Sequence, residues 1–174
     1  MKIESSDIIR HPIERVYETY RDEMPQIADY VANISKIEVE SREEVDDGVK
    51  IHNIWHAVGE IPGVAKAIIK PDMLMWDDYA HWKDQENHCN WRLSTRFFTD
   101  NVTCTGRTSF FDVGNGQTRV ELTGELNISL KGVAGIPRIL QSRAEPQLEK
   151  FIVSLITPNM RKVTLGVGRY LDNN

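Results

Sequence analysis

The sequence has too little cysteine for a covalent framework. Cys89 and Cys104 are its only two, and they lack the Cys-x-x-Cys spacing of a zinc or redox motif. They fit a pair of reduced thiols better than a disulfide. Long apolar runs are missing too, since no stretch approaches the roughly 20 residues a membrane-spanning helix needs. The opening MKIESSDIIRHP shows no basic cluster followed by an apolar segment, so it does not read as a secretory signal, and the expected location is cytoplasmic. Basic charge is in deficit: 21 Lys and Arg stand against 26 Asp and Glu, a net charge of -5, which argues against nucleic acid as a partner.

Motifs that announce chemistry are equally scarce. No GxSxG, P-loop or dinucleotide fingerprint occurs. His52 and His56 have a spacing that shares a metal on a helix, but they fall on an expected strand, where residues four apart lie about 13 Å from each other. His81, His88 and Cys89 have no supporting context. Neither a metal nor a cofactor is expected. Asn53, Asp77, Asp78 or His81 could polarise a ligand if a pocket reached them, although a solvated strand face is the plainer account of the two acids.

What the sequence does have is a clear succession of periodicities. After a short strand over residues 2–10, Pro12 precedes Ile13, Val16, Tyr17 and Tyr20 at helical spacing, and a second short helix is expected over 25–33. From residue 35 the period becomes two. It is cleanest over 117–130, where Thr118, Val120, Leu122, Gly124, Leu126, Ile128 and Leu130 alternate with polar residues, as on a half-buried antiparallel strand. Asp46-Asp47-Gly48 and Gly114-Asn115-Gly116 mark tight turns. Residues 73–84 form another strand with apolar groups on both parities, which leaves its inward face open. Helical spacing returns from Leu148 to Leu171, with Pro158 expected to kink the helix. The expected class is α+β, one domain over 1–174: about six to seven antiparallel strands curved around a long C-terminal helix, with two short helices after the first strand.

This order resembles the helix-grip superfamily of START lipid-transfer domains and polyketide cyclases, also called SRPBCC. Ile8-Ile9-Arg10-His11-Pro12-Ile13-Glu14-Arg15-Val16-Tyr17 looks like that superfamily's passage from first strand to first helix. Ile61-Pro62-Gly63-Val64, with Lys131-Gly132-Val133 before the final helix, is also similar to the layout of PRELI-type lipid carriers. The resemblance implies a cavity between sheet and final helix that takes apolar ligands.

The inward residues bear on that implication. A core built only for stability favours Leu, Ile, Val and Phe. Here the expected inward set mixes Asn53, Thr95, Cys104, Gly106, Thr108, Thr118 and Gly124 with Trp55, Trp91, Phe97 and Phe110, and on the final helix Asn159 and Gly166 interrupt a stripe that includes Phe151 and Leu155. Small and mildly polar groups opposite large aromatics suit an apolar pocket of roughly 300 to 1,000 Å³. The alternative is that the glycines let the sheet bend or the helix approach closely.

The expected ligand-binding residues are therefore Asn53, Trp55, Trp91, Thr95, Phe97, Gly106, Thr108, Phe110, Gly124, Phe151, Leu155 and Asn159. Residues 61–70 are too apolar for an ordinary exposed loop and are expected to form a short helix or flap over one end of the sheet. Residues 131–143 are amphipathic and could meet an anionic membrane during ligand exchange, or simply pack as a helix start with basic residues solvated. The expected partner is a lipid or other hydrophobic small molecule. The rival functions are a cyclase or aromatase acting on a hydrophobic substrate and a protein-binding helix-grip module.

Overall fold

The computed structural model describes residues 1–61, 63, 66, 69–96, 99–129 and 138–174, without the side chains of 138–145 and 161. Its elements follow the order β1 (Lys2–Ile9), α1 (Ile13–Asp22), α2 (Met24–Ile27) with a 3₁₀ turn at Ala28–Tyr30, β2 (Ile34–Val45), β3 (Gly48–Ala57), β4 (Met75–Lys83), β5 (His88–Thr95), β6 (Val102–Gly114), β7 (Gln117–Ile128) and α3 (Arg138–Asn173). The strands form one antiparallel sheet in the order β1-β7-β6-β5-β4-β3-β2. Strands β2 to β7 pair with their neighbours in sequence, and β1 closes the far edge by pairing with β7.

Turn chemistry and bulges shape this sheet. Gly48 has φ +143°, and a Cβ there would run into the Trp82 carbonyl oxygen, so the β2–β3 turn requires glycine. Register shifts at Ile34/Lys36 and Val39/Ser41 in β2, and at Asp112/Gly114 in β6, add the local twist that curls a sheet.

The open parity of residues 73–84 is settled by the outer face. Trp76, Asp78, Ala80 and Trp82 point inward, and Tyr79 points out. Tyr79 keeps its apolar ring covered there: His52 stacks on it at 4.4 Å and the Arg92 guanidinium lies 4.3 Å from its centroid. On the same outer surface His52, His56 and His81 pair with Asp77, Glu38 and Asp47 at 2.8, 2.6 and 2.9 Å.

Helix α3 runs unbroken through Pro146 and Pro158, and buries Leu148, Phe151, Ile152, Leu155, Ile156, Asn159, Val163, Val167 and Leu171 on the stripe that the spacing predicts. Polar ties hold its second half. The Tyr20 hydroxyl donates to Thr164 Oγ1 at 2.7 Å, the Tyr170 hydroxyl donates to Glu23 Oε2 at 2.6 Å, and His11 meets Asp172 at 3.0 Å. Gly166 brings α3 against the 3₁₀ turn, where a Cβ would lie 2.9 Å from Val31 Cγ2 and 3.2 Å from the Tyr30 carbonyl oxygen.

The inward glycines do not open a hollow. Trp91, Gly106 and Gly124 face one another across β5, β6 and β7, and the indole of Trp91 lies over both glycines. A Cβ on Gly124 would sit 2.6 Å from Trp91 Cη2. Large and small residues interdigitate here, so the space is filled. Of the expected helix or flap, Ile61 and Ile69 are buried, while half of 61–70 and all of 131–137 lie outside the described residues, and so do most of the residues behind the PRELI-type likeness.

Gly124→Ala should cost about 1–3 kcal/mol through overpacking, and much of that loss should vanish when Trp91→Leu is already present. Urea unfolding of the four proteins of this cycle checks it. Strict additivity would mean that Trp91 is not what the glycine accommodates.

Candidate functional site

A cavity of about 90 Å³ lies between the concave face of the sheet and α3. Four indoles form most of its sheet side: Trp55 on β3, Trp76 and Trp82 on β4, and Trp91 on β5. Trp55 and Trp76 stack with centroids 5.8 Å apart and planes at 15°. Ile156, Met160 and Val163 of α3 close the other side, and Tyr20 and Met24 close the end under α1 and α2. The cavity is well below the expected 300 to 1,000 Å³, because the indoles occupy the concavity. At about 10–15 Å³ for one water, it has room for several waters or a single ring.

One carboxyl group faces this apolar wall. Asp78 Oδ2 accepts from Asn53 Nδ2 at 3.2 Å and from Trp55 Nε1 at 3.4 Å. Burial pushes its pKa up to about 6, and the two hydrogen bonds and His52, beyond the sheet, only partly counter that. The carboxylate therefore stays largely ionised at neutral pH in a place that disfavours charge. Burial also pushes up the pKa of the other titratable wall groups, the Cys89 thiol and the Tyr20 phenol, so both remain protonated.

Three residues that line this cavity carry polar atoms without partners. Asn53 Oδ1, Asn159 Oδ1 and Trp82 Nε1 are buried and make no hydrogen bond among the described residues. Asn159 turns its Nδ2 back to the Leu155 carbonyl at 2.7 Å, and its Oδ1 has no partner among the described residues. On the sheet, Trp91 Nε1 donates to Thr108 Oγ1 at 3.1 Å, so that indole is locked.

The expected site residues divide into groups. Asn53, Trp55, Trp91, Thr108 and Asn159 are on the wall. Gly106 and Gly124 lie under the Trp91 ring and border a shallow, open depression on the opposite face of the sheet. Phe110 is in an aromatic cluster with Tyr17, Tyr20 and Trp82, at centroid distances of 5.3, 5.1 and 6.1 Å. Thr95, Phe151 and Leu155 are buried but are not among the residues lining the cavity. Phe97 lies outside the described residues.

The sequence favours a solvated strand face for Asp78 over a place at a pocket, and the structure puts it among the residues that line the cavity. The available signal was parity, since Asp78 alternates with Trp76, Ala80 and Trp82. Among the described residues no group of three His, Cys, Asp or Glu side chains could hold a metal ion, and no helix is long and apolar enough to cross a membrane.

Residues 4–155 match the family described as Protein of unknown function (DUF2505). The chain belongs to that family. No curated protein matches this DUF2505 sequence. Among solved structures, it is similar to the Zhui aromatase/cyclase of Streptomyces sp. R1128, with TM-score 0.69 and 18% identity over 99% of this chain and 93% of that one. A protein from Thermus thermophilus aligns with TM-score 0.66 and 21% identity over 97% and 95% of the two chains. A START superfamily protein from Mycobacterium smegmatis aligns with TM-score 0.51 and 10% identity over 93% and 98%. At these identities the likeness is one of fold: the DUF2505 chain has the START/SRPBCC helix grip.

The ionisation of Asp78 yields a pH test. Its folded pKa lies above the unfolded value near 4, so the native state holds the proton more tightly, and ionised Asp78 costs stability above about pH 6. Asp78→Asn keeps an acceptor for Asn53 and Trp55 and removes the charge. The variant should be more stable than the parent by about 1–3 kcal/mol at pH 8, with the difference closing as pH falls towards 4. Urea unfolding across that range checks it, and a pH-independent difference would assign the effect to packing instead.

Proposed function

We propose that this DUF2505 protein binds a compact apolar molecule, about one ring in size, in the cavity between its sheet and α3. Asp78, Asn53 and Asn159 orient that molecule. The observation that carries the reading is the set of unpaired polar atoms on an otherwise indole and aliphatic wall. Each buried polar atom left without a partner costs about 1–3 kcal/mol, and a ligand that pairs with them recovers that cost. An apolar pocket with a few convergent polar groups is the usual form of a small-molecule site. The helix-grip fold supports the same reading, since the resemblance to that superfamily implies a ligand between sheet and final helix. The size of the described cavity favours a compact ligand over an extended acyl chain.

A second reading, acid–base catalysis on such a molecule, is favoured by one observation. Asp78 has a pKa of about 6, near the range in which a carboxyl exchanges protons at neutral pH. Against it, Cys89 and Tyr20 stay protonated and give Asp78 no basic partner on the described wall. Binding is therefore the better-supported function.

Native mass spectrometry of freshly purified protein, followed by organic extraction, should find a small molecule at one per chain. Toluene or indole added to emptied protein should change the tryptophan emission saturably. Ala80→Leu, which fills the wall between Asp78 and Trp82, should abolish that response while circular dichroism stays native. If the intact parent protein neither carries a molecule nor responds to either probe, the binding reading fails.

A further inference from the structure

We infer that the molecule held in this cavity is a cation, a protonated amine on a small apolar or aromatic body. This rests on the reading that the cavity binds a ligand and specifies that ligand's polar end. Three features of the wall point the same way.

The first is uncompensated charge. Asp78 is the only charged side chain on the described wall, which includes no Lys or Arg. His52, the nearest basic group that influences it, lies on the outer face and is already paired with Asp77, which Arg96 also holds at 3.2 Å. A carboxylate against apolar surface normally has a cationic partner, because Coulomb attraction is then what offsets its lost hydration. The chain supplies none on the described wall.

The second is the hydrogen-bond inventory, which is rich in acceptors. Asn53 and Asn159 each direct their amide nitrogen to a protein acceptor, Asp78 Oδ2 and the Leu155 carbonyl, and the oxygen of each has no partner among the described residues. Both donors to Asp78 fall on the same carboxylate oxygen, Oδ2. Among the wall atoms with no partner at all, the two amide oxygens stand against one donor, Trp82 Nε1. An ammonium group, with up to three N–H donors and no acceptor, complements such a set. A hydroxyl would satisfy one acceptor and leave the charge unmet, and a carboxylate or phosphate would be repelled.

The third is the aromatic wall. Four indoles line the sheet side of the space, and tryptophan is the most favourable aromatic side chain for a cation. A carboxyl group in a wall with four indoles offers a cation both a charge partner and an aromatic surround.

The experiment uses one ring with four different ends. Toluene, benzyl alcohol, benzylamine and benzoate are titrated separately into the full chain and into Asp78→Asn at pH 7.5, with tryptophan emission and calorimetry as readouts. Benzylamine should bind the parent at least 10-fold more tightly than benzyl alcohol, and benzoate should bind weakest. In Asp78→Asn the benzylamine advantage over benzyl alcohol should disappear while circular dichroism stays native. If toluene or benzyl alcohol binds the parent and benzylamine binds no better, or if Asp78→Asn leaves its advantage intact, the cation inference is overturned and the binding reading stands. If none of the four binds the parent, the binding reading fails and the inference with it. A native circular dichroism spectrum of Asp78→Asn is the control for an intact fold.

Discussion

The apolar face of a seven-stranded antiparallel sheet must be covered, and in this chain a 36-residue helix covers it together with α1 and α2. Much of the arrangement follows from that requirement. The sheet curls, aided by bulges in β2 and β6, because its residues have to reach one cylinder. The helix keeps its apolar stripe in one register because Tyr20, Glu23 and His11 tie its second half to the α1–α2 side. Gly166 lets it settle against Tyr30 and Val31. Helix position in turn decides where the sheet can be touched and where a gap remains.

The gap is small because tryptophans do the spacing. Trp91 lies across Gly106 and Gly124 and is pinned by Thr108, so the small residues of β6 and β7 serve close packing. Trp55 and Trp76 stack one beside the other, and Trp82 joins the cluster of Tyr17 and Phe110. Rigid rings with few rotamers hold a cavity open better than flexible aliphatic chains, which would collapse into it. A compact ligand is the natural counterpart of such a wall.

Asp78 shows the tension between fold and function. An ionised carboxylate beside four indoles works against stability, and its pKa records that cost. Asn53 Oδ1, Asn159 Oδ1 and Trp82 Nε1 are unpaired polar atoms on residues of the same wall. Local violations of packing rules tend to gather at functional sites, and these four residues line one cavity between sheet and helix.

Periodicity by itself determined the element order, the strand parities of β3, β5, β6 and β7, and the stripe on α3, because the alternation of a half-buried strand and the 3.6-residue repeat of a helix are local properties. It also placed Asn53, Trp55, Trp91, Thr108 and Asn159 towards the interior, since each follows the parity or stripe of its own element. Tertiary structure decided the rest. β4 had apolar residues on both faces, and only the covering of Tyr79 by His52 and Arg92 shows why Asp78 turns inward. Gly106 and Gly124 could open space or admit a neighbour, and the reach of the Trp91 ring across two strands settled which. Both depend on residues distant in sequence meeting across the sheet, and no local repeat encodes that meeting.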